Sequence, residues 1–128
     1  MNIEQVLDAG RKSVAGCSVA AFGDTSARLI LRASHREGIR REYLDALCDH
    51  AASCFDLLDA TWDVPGLEEG ECSTLNEAAI LAKGETMVFV RSDHSQSEFL
   101  CLVTDDPQAA PKLFSAAHRA LQKISAVQ

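Results

Sequence analysis

What this 128-residue chain lacks limits its chemistry before its contents are considered. Neither G-x-x-x-x-G-K-[ST] nor G-x-G-x-x-G occurs, so no glycine-rich loop is set up to cradle a phosphate with backbone N–H groups. The G-x-S-x-G nucleophile elbow and the H-E-x-x-H zinc helix are missing too, so no catalytic residue is assigned and no cofactor is expected. No apolar run reaches the ~18 residues of a membrane span, which argues against direct membrane insertion. The opening Met1-Asn2-Ile3-Glu4-Gln5 has no basic segment followed by an apolar one, so no signal peptide is expected and the predicted location is cytoplasmic. Basic residues are scarce: 12 Lys and Arg against 19 Asp and Glu give a net charge of -7. That balance argues against general nucleic-acid binding, because phosphate neutralisation needs a basic face.

The five cysteines, Cys17, Cys48, Cys54, Cys72 and Cys101, form no CxxC pair. Four of them lie inside periodic apolar segments, where a free thiol behaves as a small buried hydrophobe, and a reducing compartment would keep them so. The strongest metal candidate is His50 with Cys54, four residues apart on one helix face, with Cys72 as a third ligand if the following loop folds back. The competing reading places His50 along a helix seam and Cys54 in the core. That reading is preferred, and no metal is expected, because paired cysteine knuckles are absent.

The chain also holds an ordered succession of hydrophobic periods. Asn2, with Gln5 three residues on, forms a capping-box pattern, and Ile3, Val6, Leu7 and Val14 follow at helical spacing, so residues 3–14 read as a helix. Residues 17–22 and 27–34 read as strands joined by the turn Gly23-Asp24-Thr25-Ser26. In the second strand, alternation predicts Leu29, Leu31 and Ala33 on one face, with Arg28, Ile30 and Arg32 on the other. Residues 40–59 form the clearest helix, with Leu44, Leu47, Cys48, Ala51, Cys54, Phe55 and Leu58 as its stripe. A second row, Tyr43, Leu47, His50, Cys54 and Leu57, runs beside it at the spacing by which two helices form a seam. The row fits either a dimer interface or a well-buried globular helix.

Residues 60–73 are irregular and acidic, punctuated by Pro65-Gly66 and Gly70, and contain Trp62. Strands are predicted at 75–82, 86–91 and 98–104, short loops making them an antiparallel meander whose first member is an edge. Asp106-Pro107 opens the last helix, which starts at Pro107 or, after an irregular turn, at Pro111. The order α-β-β-α-β-β-β-α predicts an α+β fold in which a five-stranded antiparallel sheet carries helices on both faces. The terminal helices are expected on one face and the middle helix on the other. No linker divides the chain, so residues 1–128 read as a single domain.

This order, with the hairpin from Ser18 to Ala33 and the passage from Phe99 to Gln108 that runs through Asp105-Asp106-Pro107, resembles the roadblock/dynein light-chain superfamily, a profilin/roadblock-like architecture, over residues 3–126. In that family the connection between middle helix and third strand is usually short, so the acidic insertion around Pro65 is a departure near the usual dimer seam. The resemblance implies a domain without an active site that forms a homodimer through the middle helix and the third strand. It further implies regulation or scaffolding of a small Ras-like GTPase.

Charge is unevenly distributed. Arg28, Arg32, Arg36, Arg40 and Arg41 fall within fourteen residues, whereas residues 42–82 contain no Lys or Arg and hold ten of the nineteen acids. The arginines are candidates for a partner-binding face, because such asymmetry orients partners and arginine is enriched at interfaces. Pairing with acids of the same chain is the alternative. Two other classes remain open: an acidic secretion-chaperone-like module, whose usual order has three strands before the middle helix, and a GAF/PAS-like ligand sensor, for which Ala20, Ala21, Ala78 and Ala79 would have to leave a cavity.

Overall fold

The computed structural model describes residues 2–60 and 76–127. Trp62, Pro65, Gly66, Gly70, Cys72 and the rest of the predicted acidic stretch after Ala60 lie outside them, as does Leu75 at the head of the predicted third strand.

The first helix, α1 (Ile3–Lys12), starts on the capping box. The Asn2 side chain accepts the Gln5 N–H at 2.8 Å, and Gln5 Oε1 accepts the Asn2 N–H at 2.9 Å, satisfying two otherwise orphaned donors. Val6 and Leu7 are its buried residues. The chain then turns at Gly16, whose φ of +71° favours glycine. A Cβ there would lie 2.4 Å from Asp105 Oδ1.

Strands β1 (Cys17–Asp24) and β2 (Leu29–His35) form the expected hairpin, one or two residues longer or later at their ends. The predicted alternation in β2 is not what the sheet adopts. Phe22 pairs with Arg32 and Gly23 with Ile30, so Leu31 is an extra residue opposite the Phe22/Gly23 step. This bulge changes the phase of the strand. Ile30 and Ala33 pack on one face of the sheet and Leu31 on the other. Arg28 is outside the strand, in the turn, at φ +55°.

The middle helix, α2 (Arg41–Ala60), has almost the predicted bounds. After it come β3 (Glu77–Ala82), β4 (Glu85–Arg91) and β5 (Glu98–Thr104), the last as predicted. A 3-10 turn, Pro107–Ala109, begins where the Asp106 carboxylate accepts the Gln108 N–H, and leads into α3 (Ala110–Val127). Pro111 therefore sits in the first turn of α3, where the absent N–H would have no helical partner anyway.

All strand pairings are antiparallel, in the order β2-β1-β5-β4-β3. Alternation divides the buried side chains into two cores. Ala20, Phe22, Val88, Val90, Leu100 and Leu102 meet α1 and α3 on one face. Val19, Ala21, Phe89, Phe99, Cys101 and Val103 meet α2 on the other. The expected distribution of helices over the two faces is thus the one observed. Ala20 and Ala21 are fully buried, one in each core, so their small size serves close packing under the helices. β3 and β2 are the edges, and β3 is the more open, with Leu81 78% exposed.

Candidate interaction surface

Helix α2 presents three faces. Leu44, Leu47, Cys48, Ala51, Ala52 and Phe55 are buried toward the sheet. Tyr43, His50, Cys54 and Leu57 run along a second face, and of these His50 and Leu57 are exposed, Leu57 by 67%. Leu47, predicted in both rows, is 1% exposed and belongs to the core. The third face is acidic: Glu42, Asp45, Asp49, Asp56 and Asp59 recur at helical spacing.

Two contacts orient these faces. The Tyr43 hydroxyl donates to Glu85 Oε2 at 3.1 Å, which turns the row Tyr43, His50, Cys54, Leu57 toward the β3–β4 end of the sheet. Burial, followed by the negative charge of Glu85, pushes the tyrosine well above its usual titration range. On the opposite flank Arg28 reaches Asp49 at 3.5 Å, so the acidic face looks toward the β1–β2 hairpin. The half-wet row and the open edge strand therefore lie on the same side of the molecule.

The predicted arginine face is not gathered into one patch. Arg28 pairs with Asp49 on the α2 side, while Arg32 faces Glu4 of α1 at 3.7 Å on the other side of the sheet. Arg36 donates to Asp105 and to the Gly16 carbonyl, both at 3.1 Å. Arg41 pairs with Asp45 one helical turn on. Arg40 is exposed and makes no ion pair among the described residues. Sequence proximity did not reveal these partners, because Glu4 comes from α1, Asp49 from α2 and Asp105 from the link after β5.

The four described thiols are not poised for chemistry. Cys17, Cys48 and Cys101 are buried, Cys54 is partly buried, and all four are unpaired. Burial pushes each thiol up, that of Cys101 most of all, so the reactive thiolate is disfavoured. Among the described residues no group of three or more His, Cys, Asp or Glu is placed to hold a metal. His50 is exposed and Cys54 faces the α2-side core, while Cys72, the proposed third ligand, lies outside the described residues. No described helix is long and apolar enough to cross a membrane.

Three polar residues missed in the sequence stand out at the head of β3. The Arg91 side chain is 3% exposed. It donates to both carboxylate oxygens of Asp59, at 2.8 and 3.1 Å, and to Asn76 Oδ1 at 3.2 Å. Its guanidinium carbon also lies 4.9 Å from the Phe55 ring centroid. Beside it His118 of α3, half-exposed, pairs with Glu77. Arg91, Asn76, Glu77 and His118 border an open polar cleft of about 550 Å³ that also includes Asp93 and His94. The one available signal was an arginine ending the apolar run of β4.

No family model and no curated protein matches this sequence. Solved structures match its fold. An MglB in a tetrameric arrangement aligns at a TM-score of 0.75 and 17% identity, over 98% of this chain and 86% of that one. A Roadblock/LC7 domain from Streptomyces avermitilis aligns at 0.75 and 10% identity, over 99% and 98%. The gliding protein MglB from Thermus thermophilus aligns at 0.73 and 16% identity, over 98% and 90%. The chain carries the roadblock fold.

Proposed function

We propose that this chain is a non-enzymatic interaction module that self-associates through α2 and β3 and regulates or scaffolds a small Ras-like GTPase in the cytoplasm. One observation carries the reading: the half-exposed row of α2 lies on the same side as β3, an edge with no further strand among the described residues. An open edge invites pairing, and a second copy of β3 would extend the ladder while bringing two α2 rows together. The tetrameric arrangement of the structurally similar MglB and the roadblock fold support self-association. The four described thiols, disfavoured as thiolates, and the missing catalytic motifs support the absence of chemistry.

For the partner, the proposed docking site is the entrance of α2 at Arg40, which makes no ion pair among the described residues, with Arg41 beside it held only by an exposed pair within its own helix. Arg28, Arg32 and Arg36, engaged by acids of other parts of the chain, add only a diffuse field. A regulator shifts its partner's nucleotide state only through a difference in affinity between the two states. The test has two parts. Sedimentation velocity across micromolar concentrations should give a dimer. Affinity capture from host extract with GDP or with a non-hydrolysable GTP analogue should retain a GTPase in one state and less in the other. A monomer throughout, with a secreted effector or a small ligand captured in place of a GTPase, would shift the reading to the chaperone or sensor class.

A further inference from the structure

The end of α2 and the residue that leads into β3 are held by a single side chain. Asp59 lies one residue before the end of α2, and Asn76 immediately precedes β3. Arg91, at the end of β4, grips both: the carboxylate through two parallel N–H bonds and the carboxamide oxygen through Nε. The Arg91 N–H also donates to the Asn76 carbonyl at 2.7 Å, and Asn76 Nδ2 donates onward to Asp93 at 3.1 Å. Arg91 is a fixed anchor, because it is buried at the end of an interior strand. Its planar fork matches a carboxylate in a way a lysine would not.

The placement of Asp59 is informative. A carboxylate in the last turn of a helix faces the negative end of the helix dipole, and α2 has no basic residue in that turn. As a merely solvated residue, Asp59 would be better replaced by asparagine. β3 also needs such an anchor, since it is an edge whose outward side meets no other described strand.

We propose that Arg91 is a positioning residue, a clasp that fixes the end of α2 and the start of β3 relative to each other and thereby presents the edge strand in one register. The link to self-association rests on the function proposed above, whereas the clasp itself does not. Two variants separate them, Asp59→Asn and Asn76→Ala, each measured by amide hydrogen exchange and by sedimentation.

The clasp requires faster exchange in residues 77–82, by about tenfold, with β1 and β5 unchanged, because losing a charge-assisted bond shifts a local opening equilibrium by that order. A selective rise in either variant supports it and locates the end that matters. Exchange in β3 within twofold of wild type in both variants overturns it, as does an equal rise throughout the sheet, which would make Arg91 a general core buttress. If wild type sediments as a monomer, the self-association reading falls while the exchange result still decides the clasp. If wild type is a dimer, both variants should weaken it alongside the local exchange.

Discussion

Truncating Leu57 offers a sharp test of the proposed seam, because most of this side chain is exposed in the monomer. It is 67% exposed, so about two-thirds of a leucine's transfer energy is unrealised in the free chain. Full burial of a leucine contributes roughly 1.5–3 kcal/mol, which leaves about 1–2 kcal/mol per copy, and a twofold interface buries the residue twice. Leu57→Ala keeps the Cβ, so the dimer should weaken by about tenfold to a hundredfold, at ~1.4 kcal/mol per decade. The dissociated chain should hardly notice, within ~0.5 kcal/mol, since alanine is at least as good a helix former and no core contact is lost. Leu47→Ala supplies the contrast. At 1% exposed it supports the α2-side core, and its truncation should remove about 2–5 kcal/mol at every protein concentration. The assays are sedimentation velocity from 0.1 to 100 times the wild-type dissociation constant, and urea unfolding of dilute protein. A dissociation constant for Leu57→Ala within threefold of wild type refutes the argument, because a residue this exposed in one copy must then stay exposed in two.

Other consequences can be checked with standard measurements. Gly16→Ala should lower the melting temperature by several degrees, since φ +71° is unfavourable for alanine by roughly 1–2 kcal/mol and its Cβ would meet Asp105 and Thr104; an unchanged melting temperature would show that this turn relaxes freely. Buried Cys17 and Cys101 have raised thiol values, so above the ordinary value of 9.0 the unfolded chain loses those protons first. Stability should then be fully present below pH 9 and fall above it, less steeply in Cys101→Ala, and a flat profile between pH 8 and 10 would contradict this. Chelator should leave the melting temperature of tag-free protein unchanged; a marked drop, abolished in Cys54→Ala, would restore the His50, Cys54 and Cys72 zinc reading. Arg28→Glu with Arg32→Glu breaks two exposed pairs on opposite sheet faces, so each should cost under ~1 kcal/mol of stability. The same double reversal should slow partner association only modestly if the charges act as a diffuse field.

The parts of this fold that could be read in advance were those written in local periodicity. The α1 capping box, the bounds of α2 within a residue and the whole of β5 depend on neighbours within a few positions, so the sequence carries them. The two-sided placement of helices also followed, because β1, β4 and β5 are apolar on both faces. Parts that depend on distant partners were not visible. The Leu31 bulge arises from how β2 meets β1 around Gly23, where Phe99 crowds the backbone and a Cβ would lie 2.8 Å from its ring. The arginines looked like one patch because they are close in sequence, although a sheet edge and its bulge distribute them to both faces. Leu47 fell between two helical rows whose angular ranges overlap, and only packing assigns it to the core. Arg91 looked like the polar end of a strand, because neither Asp59 nor Asn76 is near it in the chain.

The strand order has a consequence for how the chain acquires its structure. β1 is made early, yet one of its two neighbours is β5, so Val19 must find Val103 across most of the sequence. Such long-range closure loses chain entropy before it gains contacts, which slows folding compared with a sheet of local hairpins. During synthesis the first hairpin emerges with the inner side of β1 open and apolar on both faces, and it stays unsatisfied until the final strand leaves the ribosome. A chain stopped before Glu98 would expose that side of β1 permanently, so truncated products should aggregate rather than persist as partial domains.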